Sequence, residues 1–235
     1  MILKARRTQR SRKPVLIVLV ILIIVLIVGG AGWYIYTRTY GNELMKLQTV
    51  DYLFATKNGG TDGKIVFIRT MKDKKIAYVV ELPEYPFYGD ENIGFDSNDL
   101  SLGLQITKQM FSLTTPNDSY FMVLNDQNID YMINELNISL EEKDLISLLK
   151  ALSKKKFGIF DFLKIQNLAR ELKLNGNMNY DSFYRLLSFL SNNAVMFDEV
   201  KGITKSPVKI KVGDREYNRI YLSPDDVKRV QEVLR

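Results

Sequence analysis

The chain has 235 residues, no cysteine, no histidine and a formal net charge of +6. The two absences exclude disulfide stapling, thiol nucleophiles, Ser-His-Asp catalysis, a histidine general base and the usual zinc sites. The positive charge gives no case for nucleic acid, because Lys4, Arg6, Arg7, Arg10, Arg12 and Lys13 account for all of it and the rest of the chain is formally neutral.

The N-terminus reads as a membrane anchor. From Pro14 to Tyr36 no charged residue occurs, and about 20 apolar residues suffice to cross a hydrocarbon core of ~30 Å. The run is apolar all round, which denies it the wet face of a surface helix. Trp33, Tyr34 and Tyr36 stand where an interfacial aromatic belt is expected, and the basic residues before Pro14 predict a cytoplasmic N-terminus. A cleaved signal peptide is the rival reading, given the GGAG string at 29–32, but the apolar run outlasts the usual h-region of roughly 7 to 15 residues. The expected organisation is a cytoplasmic basic tail at 1–13, a transmembrane signal anchor at 14–37, a stalk at 38–48 and one extracytoplasmic domain at 49–235. That length suits a single core.

Three strands follow the stalk: Val50 to Ala55, Lys64 to Thr70 and Lys75 to Leu82, rich in β-branched and aromatic residues and separated by the turn strings KNGGTDG and MKDK. They predict a meander or hairpins. The segment after them carries Pro83, Pro86, Gly89 and Gly94 and reads as a long surface loop. It is acidic, through Glu81, Glu84, Asp90, Glu91, Asp96 and Asp99, without EF-hand spacing. Its aromatic residues, Tyr85, Phe87, Tyr88 and Phe95, suit stacking on sugar rings, contact with a bilayer surface, or an inward-folded small core of the loop's own. Glu84, Tyr85, Phe87 and Tyr88 are the candidate ligand residues of this loop.

A helix is expected from Asp99 to Phe111, a strand from Ser119 to Leu124 and a helix from Gln127 to Leu136. The S-L-E-E string at Ser139 predicts a capping box opening a helix that runs to about Ser153. Helical stripes continue at Phe162, Ile165, Leu168, Ala169 and Leu172, and at Phe183, Leu186, Leu187 and Leu190. Strands return at Val195 to Val200, Val208 to Val212 and Tyr217 to Leu222, and Ser223-Pro224 starts a final helix. This order predicts a mixed α/β (α+β) domain with a central mixed sheet packed by helices.

Several strings resemble the LytR-CpsA-Psr family: ELPEY at 81–85 where the family has I-P-R-D, SYFMVLNDQNIDYMINEL at 119–136, LEEKDLISLLK at 140–150, DFLKIQNL at 161–168 and the closing REYNRIYLSPDDVKRVQEVL. The resemblance spans nearly the whole outer domain. It implies a cytoplasmic tail, one anchor helix and an extracellular α/β domain that transfers phosphate-linked glycopolymers from a polyprenyl-pyrophosphate carrier to peptidoglycan. Mg²⁺, an acidic residue and several arginines surround the pyrophosphate in that family. Here Glu84 stands at the position of the arginine and Lys150 replaces another, while Asp161, Phe162, Ile165 and Gln166 match, Lys164 keeps a positive charge and Asn167 does not.

On this resemblance Asp62 and Asp161 are candidate metal ligands, and Lys150 and Lys164 candidate catalytic cations. The ordinary roles of Asp62 and Asp161 are turn and helix-cap residues, and of the two lysines solvated surface charges. The expectation is a bacterial cell-envelope protein with a degenerate domain of this family, without transferase chemistry, that binds cell-wall polymer, polyprenyl lipid or an envelope protein. The alternatives are an active phosphotransferase using Asp62, Lys150, Asp161 and Lys164 with Mg²⁺, and a structural subunit of an envelope complex.

Overall fold

The computed structural model describes residues 13–39, 43–56, 63–89, 93–95, 99–113, 118–157, 161–172, 175–212 and 215–235. The chain separates into two compact units, Met1–Met45 and Lys46–Arg235.

The first unit holds α1 (Lys13–Thr39). Among the described residues it is the one helix long and apolar enough to cross a membrane, over Ile17–Thr37. Its apolar side chains, Leu22, Ile27 and Trp33 among them, are exposed on every side. The basic tail at 1–12 lies outside the described residues.

After α2 (Glu43–Lys46), the chain forms β1 (Thr49–Thr56), β2 (Ile65–Met71) and β3 (Ile76–Leu82). These pair antiparallel in sequence, Tyr52 opposite Ile68 and Phe67 opposite Val80. This is the meander expected from their composition. Next come β4 (Pro86–Tyr88), β5 (Ile93–Gly94), α3 (Leu100–Met110), β6 (Asp118–Leu124), α4 (Asp126–Glu135), α5 (Leu145–Lys154), α6 (Asp161–Glu171), β7 (Asn175–Gly176) and α7 (Tyr180–Asn192). The domain ends with β8 (Ala194–Glu199), β9 (Val208–Val212), β10 (Arg215–Tyr221) and α8 (Pro224–Leu234).

The main sheet has the order β7-β6-β1-β2-β3-β8. Its centre is antiparallel, whereas β6 joins β1 and β8 joins β3 in parallel. Both faces are covered, so β2 is buried at every position. One face sends Tyr52, Phe54, Val66, Ile68 and Val79 against α4, α5, α6 and α7. The other sends Leu53, Ile65, Phe67, Tyr78 and Val80 against α3 and α8. The expected fold class is the one found.

Two expectations need correction. The helix foreseen from Ser139 starts at Leu145, because the Asp144 carboxylate takes the Ser147 N–H at 3.0 Å and its hydroxyl at 2.7 Å. The buried stripe Leu145, Leu148, Leu149, Leu152 begins only there. The segment after Leu82 is not a free loop: β4 pairs in parallel with β10, and a second sheet forms with the order β5-β4-β10-β9.

Candidate ligand cleft at the strand ends

The C-terminal ends of β3 and β8 and the residues that lead into β2 meet at one edge of the main sheet. Strand alternation places Lys64, Glu81 and Glu199 on the face that carries α5. The Lys64 ammonium lies 2.8 Å from Glu81 Oε1, and Glu81 stands beside Glu199 in the parallel pairing. The bond from Glu81 raises the Lys64 pKa, with Asp144 and Glu199 adding to it against desolvation. Burial pushes the Asp144 carboxyl up, but bonds from Ser147 and Ile146 and the charge of Lys64 outweigh this and hold it below the usual carboxylate range.

A cleft of about 420 Å³ opens here, lined by Lys64, Glu81, Glu84, Glu199, Lys201 and Lys205. Glu84 is fixed at its rim: Oε2 accepts the Gly63 N–H at 3.1 Å. A Cβ at Gly63 would lie 2.8 Å from the Thr56 carbonyl oxygen, so only glycine lets the two strands approach here. The next residue, Tyr85, is held at φ 57°, a left-handed conformation costing a non-glycine residue about 1–2 kcal/mol. Its carbonyl accepts the Ile220 N–H at 2.9 Å and that of Phe87 the Leu222 N–H at 3.0 Å, which pins the turn to β10.

The reversal at Tyr85 makes consecutive residues open onto different spaces. Glu84 lines the first cleft, whereas Tyr85 and Phe87 line a second of about 490 Å³ with Phe95, Asp99 and Arg219. Phe87 and Phe95 are buried, and Tyr85 and Tyr88 half-buried. The aromatics do fold inward, but onto other elements: the Phe87 ring meets Tyr221 edge-on at 5.2 Å, and the Arg219 guanidinium lies over it at 4.2 Å. Tyr88 lines neither cleft.

The remaining candidates stand elsewhere. Lys150 projects from α5 with its ammonium 5.7 Å from the Phe197 ring, one pleat below Glu199 on the same face of β8. Asp161 and Lys164 approach each other at 3.7 Å within α6. None of the three lines either cleft, and Asp62 lies outside the described residues. Among the described residues no group of three or more carboxylates is arranged to hold a metal ion. Lys64, Asp144, Glu199, Lys201 and Lys205 were not foreseen as site residues; Lys64 at the mouth of a strand was the legible signal, while the wall at 199–207 arrives by long-range parallel pairing.

No family model and no curated protein matches the sequence. Solved structures are similar to its fold. The transcriptional regulator yvhJ from Bacillus subtilis is similar at a TM-score of 0.50 and 9% identity, over 80% of this chain and 95% of that one. TagT bound to LIIa-WTA is similar at 0.49 and 13%, over 82% and 91%. The LytR-CPS2A-psr family protein YwtF (TagT) with bound octaprenyl pyrophosphate lipid is similar at 0.47 and 12%, over 81% and 90%. Structural neighbours at low identity thus include LytR-CpsA-Psr proteins, and the yvhJ likeness shows the fold alone.

Proposed function

We propose that this chain is a single-pass cell-envelope protein, its N-terminus cytoplasmic, whose outer domain retains the LytR-CpsA-Psr-like fold as a binding module for a wall polymer or polyprenyl-linked glycan and has no transferase chemistry. One observation supports this most directly. At the position where the resembled family places an arginine, Glu84 donates nothing to a phosphate; its carboxylate accepts the Gly63 N–H at the rim of the cleft.

The rest of the lining agrees. Lys64, Lys201 and Lys205 are balanced by Glu81, Glu84 and Glu199, and no arginine is among the described lining residues. Transfer from a pyrophosphate asks for bidentate guanidinium contacts and concentrated positive charge as the leaving group develops. A charge-balanced cleft of interleaved donors and acceptors suits the hydroxyls of a sugar instead. The apolar α1 would hold such a module at the membrane surface.

The test uses the full chain in detergent with Mg²⁺, a labelled lipid-linked polymer and peptidoglycan. The polymer should be retained by the protein and no label should reach peptidoglycan. Label in peptidoglycan overturns the non-catalytic reading, and absence of any retention overturns the binding one.

A further inference from the structure

Exposed lysines gather at one end of the main sheet. Thr49 opens β1 opposite Met71, the last residue of β2, and the Gln48 carbonyl accepts the Lys72 N–H at 2.7 Å. On the same edge Ile76 and Ala194 open β3 and β8 side by side, the Lys75 carbonyl accepting the Ala194 N–H at 3.1 Å. The end of α5 arrives there too, since the Lys156 ammonium donates to the Ser191 carbonyl at 3.2 Å, just ahead of β8. Lys46, Lys72, Lys74, Lys75, Lys154 and Lys156 are thereby brought together, all exposed. Asp73 is the acid within the β2–β3 turn, and Asp118 stands further along opposite Val50. The opposite ends of the same strands carry a balanced set instead, Lys64, Lys201 and Lys205 with Glu81, Glu84 and Glu199.

The lysine edge is also where the chain enters the domain, through Lys46 and Leu47, shortly after the apolar α1. We propose that this edge seats on the anionic phospholipid headgroups of the membrane that α1 enters. Charge complementarity and chain entry both favour a headgroup layer. Lysines are compact, strongly hydrated charges that respond to a diffuse negative surface without the fixed fork that arginine offers to single phosphates. Such attraction acts within a Debye length of ~8 Å of the surface, so only a face held against the headgroups feels it. The ordinary reading, solvated ends of a turn and a helix, predicts no dependence on lipid charge.

The experiment follows backbone hydrogen exchange at 72–75 and 154–156 in the full chain, in nanodiscs containing phosphatidylglycerol and in nanodiscs of phosphatidylcholine alone. Exchange at both segments should slow with the anionic lipid, since each surface lysine adds roughly 1 kcal/mol, about a fivefold preference, for the charged surface. The difference should vanish in high salt and in a Lys74→Glu, Lys75→Glu, Lys154→Glu variant with unchanged circular dichroism, and persist in Lys201→Glu, Lys205→Glu at the opposite edge. Equal exchange in the two lipids overturns the proposal, as does slowing that requires an added soluble polyglycerol phosphate, which would make the partner a wall polymer. The inference rests on α1 being an anchor: a chain that inserts into neither nanodisc overturns that reading, whereas insertion with equal exchange overturns the lysine edge alone.

Discussion

Arg229 grips Asp198 with two nitrogens, Nε at 3.2 Å and Nη2 at 2.8 Å, tying α8 to the edge strand β8. The Tyr78 hydroxyl donates to the same carboxylate at 2.6 Å, and Arg229 Nη1 reaches Asp226 at 2.6 Å. Burial raises the Asp198 carboxyl, but the bonds from Arg229 and Tyr78 outweigh it and leave its pKa below the usual range. A depressed folded pKa gives stability that is present above the unfolded value of ~3.9 and lost as pH falls through the folded one. Denaturant unfolding from neutral pH downward should therefore show a decline below about pH 4, shallower in Asp198→Asn. A wild-type profile that matches the variant would remove Asp198 as the cause.

Tyr78→Phe isolates one arm of that cluster. Tyr78 is nearly fully buried, and loss of a hydrogen bond to a charged acceptor should cost about 1.5 kcal/mol of unfolding free energy. The same burial and the Asp198 bond raise the phenol pKa, so spectroscopic titration should find this tyrosine still protonated after exposed ones have ionised.

In the same row of the sheet as Tyr78, which stands opposite Arg69, a buried ion pair offers a sharper stability test. Arg69 meets Asp51 across β1 and β2 through Nε at 2.8 Å and Nη2 at 3.0 Å, and Asp51 is fully buried. Arg69→Met should cost about 3 kcal/mol, because it removes both guanidinium bonds from a buried carboxylate and leaves it the more distant Lys108 ammonium at 3.6 Å. Asp51→Leu combined with Arg69→Met should cost far less. Equilibrium unfolding of the single and double variants decides, and equal losses would contradict the pairing.

Gly103→Ala probes the contact between α3 and the loop that precedes it. A Cβ at Gly103 would run into the Phe95 ring at Cδ2, inside the second core. Overpacking of this kind costs about 1–3 kcal/mol. Shortening the ring in a Gly103→Ala, Phe95→Leu chain should recover part of the loss in thermal unfolding.

Glu84→Arg addresses the cleft directly. The change removes the Gly63 bond and one of three acids and installs the guanidinium that the resembled family places there. Affinity for inorganic pyrophosphate, measured by calorimetry, should rise about tenfold through new charge-assisted bonds. An unchanged affinity would mean that Glu84 does not govern anion binding in this cleft.

Local sequence was enough for the central meander, because KIVFIRT and KIAYVVEL are dense in β-branched residues whichever partners they find. It was enough for the starts of α3 and α8, where Asp99 and Ser223 accept the N–H of Leu102 and Asp226. It misled at Ser139, since a capping-box string says nothing about which apolar residues find a core, and the buried stripe starts at Leu145. The clefts were harder still. Glu84 was recognisable from its place after β3, but the wall opposite it is brought in by the β3–β8 pairing and the β4–β10 pairing. Neither leaves a short-range trace. Lys150 and the Asp161–Lys164 pair were matched to strings, and a string does not say which edge of a sheet a side chain will face.

The position of α8 has a consequence for the order of events during synthesis. Val227, Val230 and Leu234 complete the second core against Phe67, Val80 and Leu82 from strands made more than a hundred residues earlier. Until that helix has emerged, the part of this face that α3 does not cover stays open, and the edge strand β8 lacks its Arg229 clamp. Closure of such distant contacts is slow and leaves apolar surface open to association meanwhile. The nascent domain should therefore depend on a holding factor or on rapid completion of translation, and fusions that delay α8 should aggregate more than fusions at the opposite end of the chain.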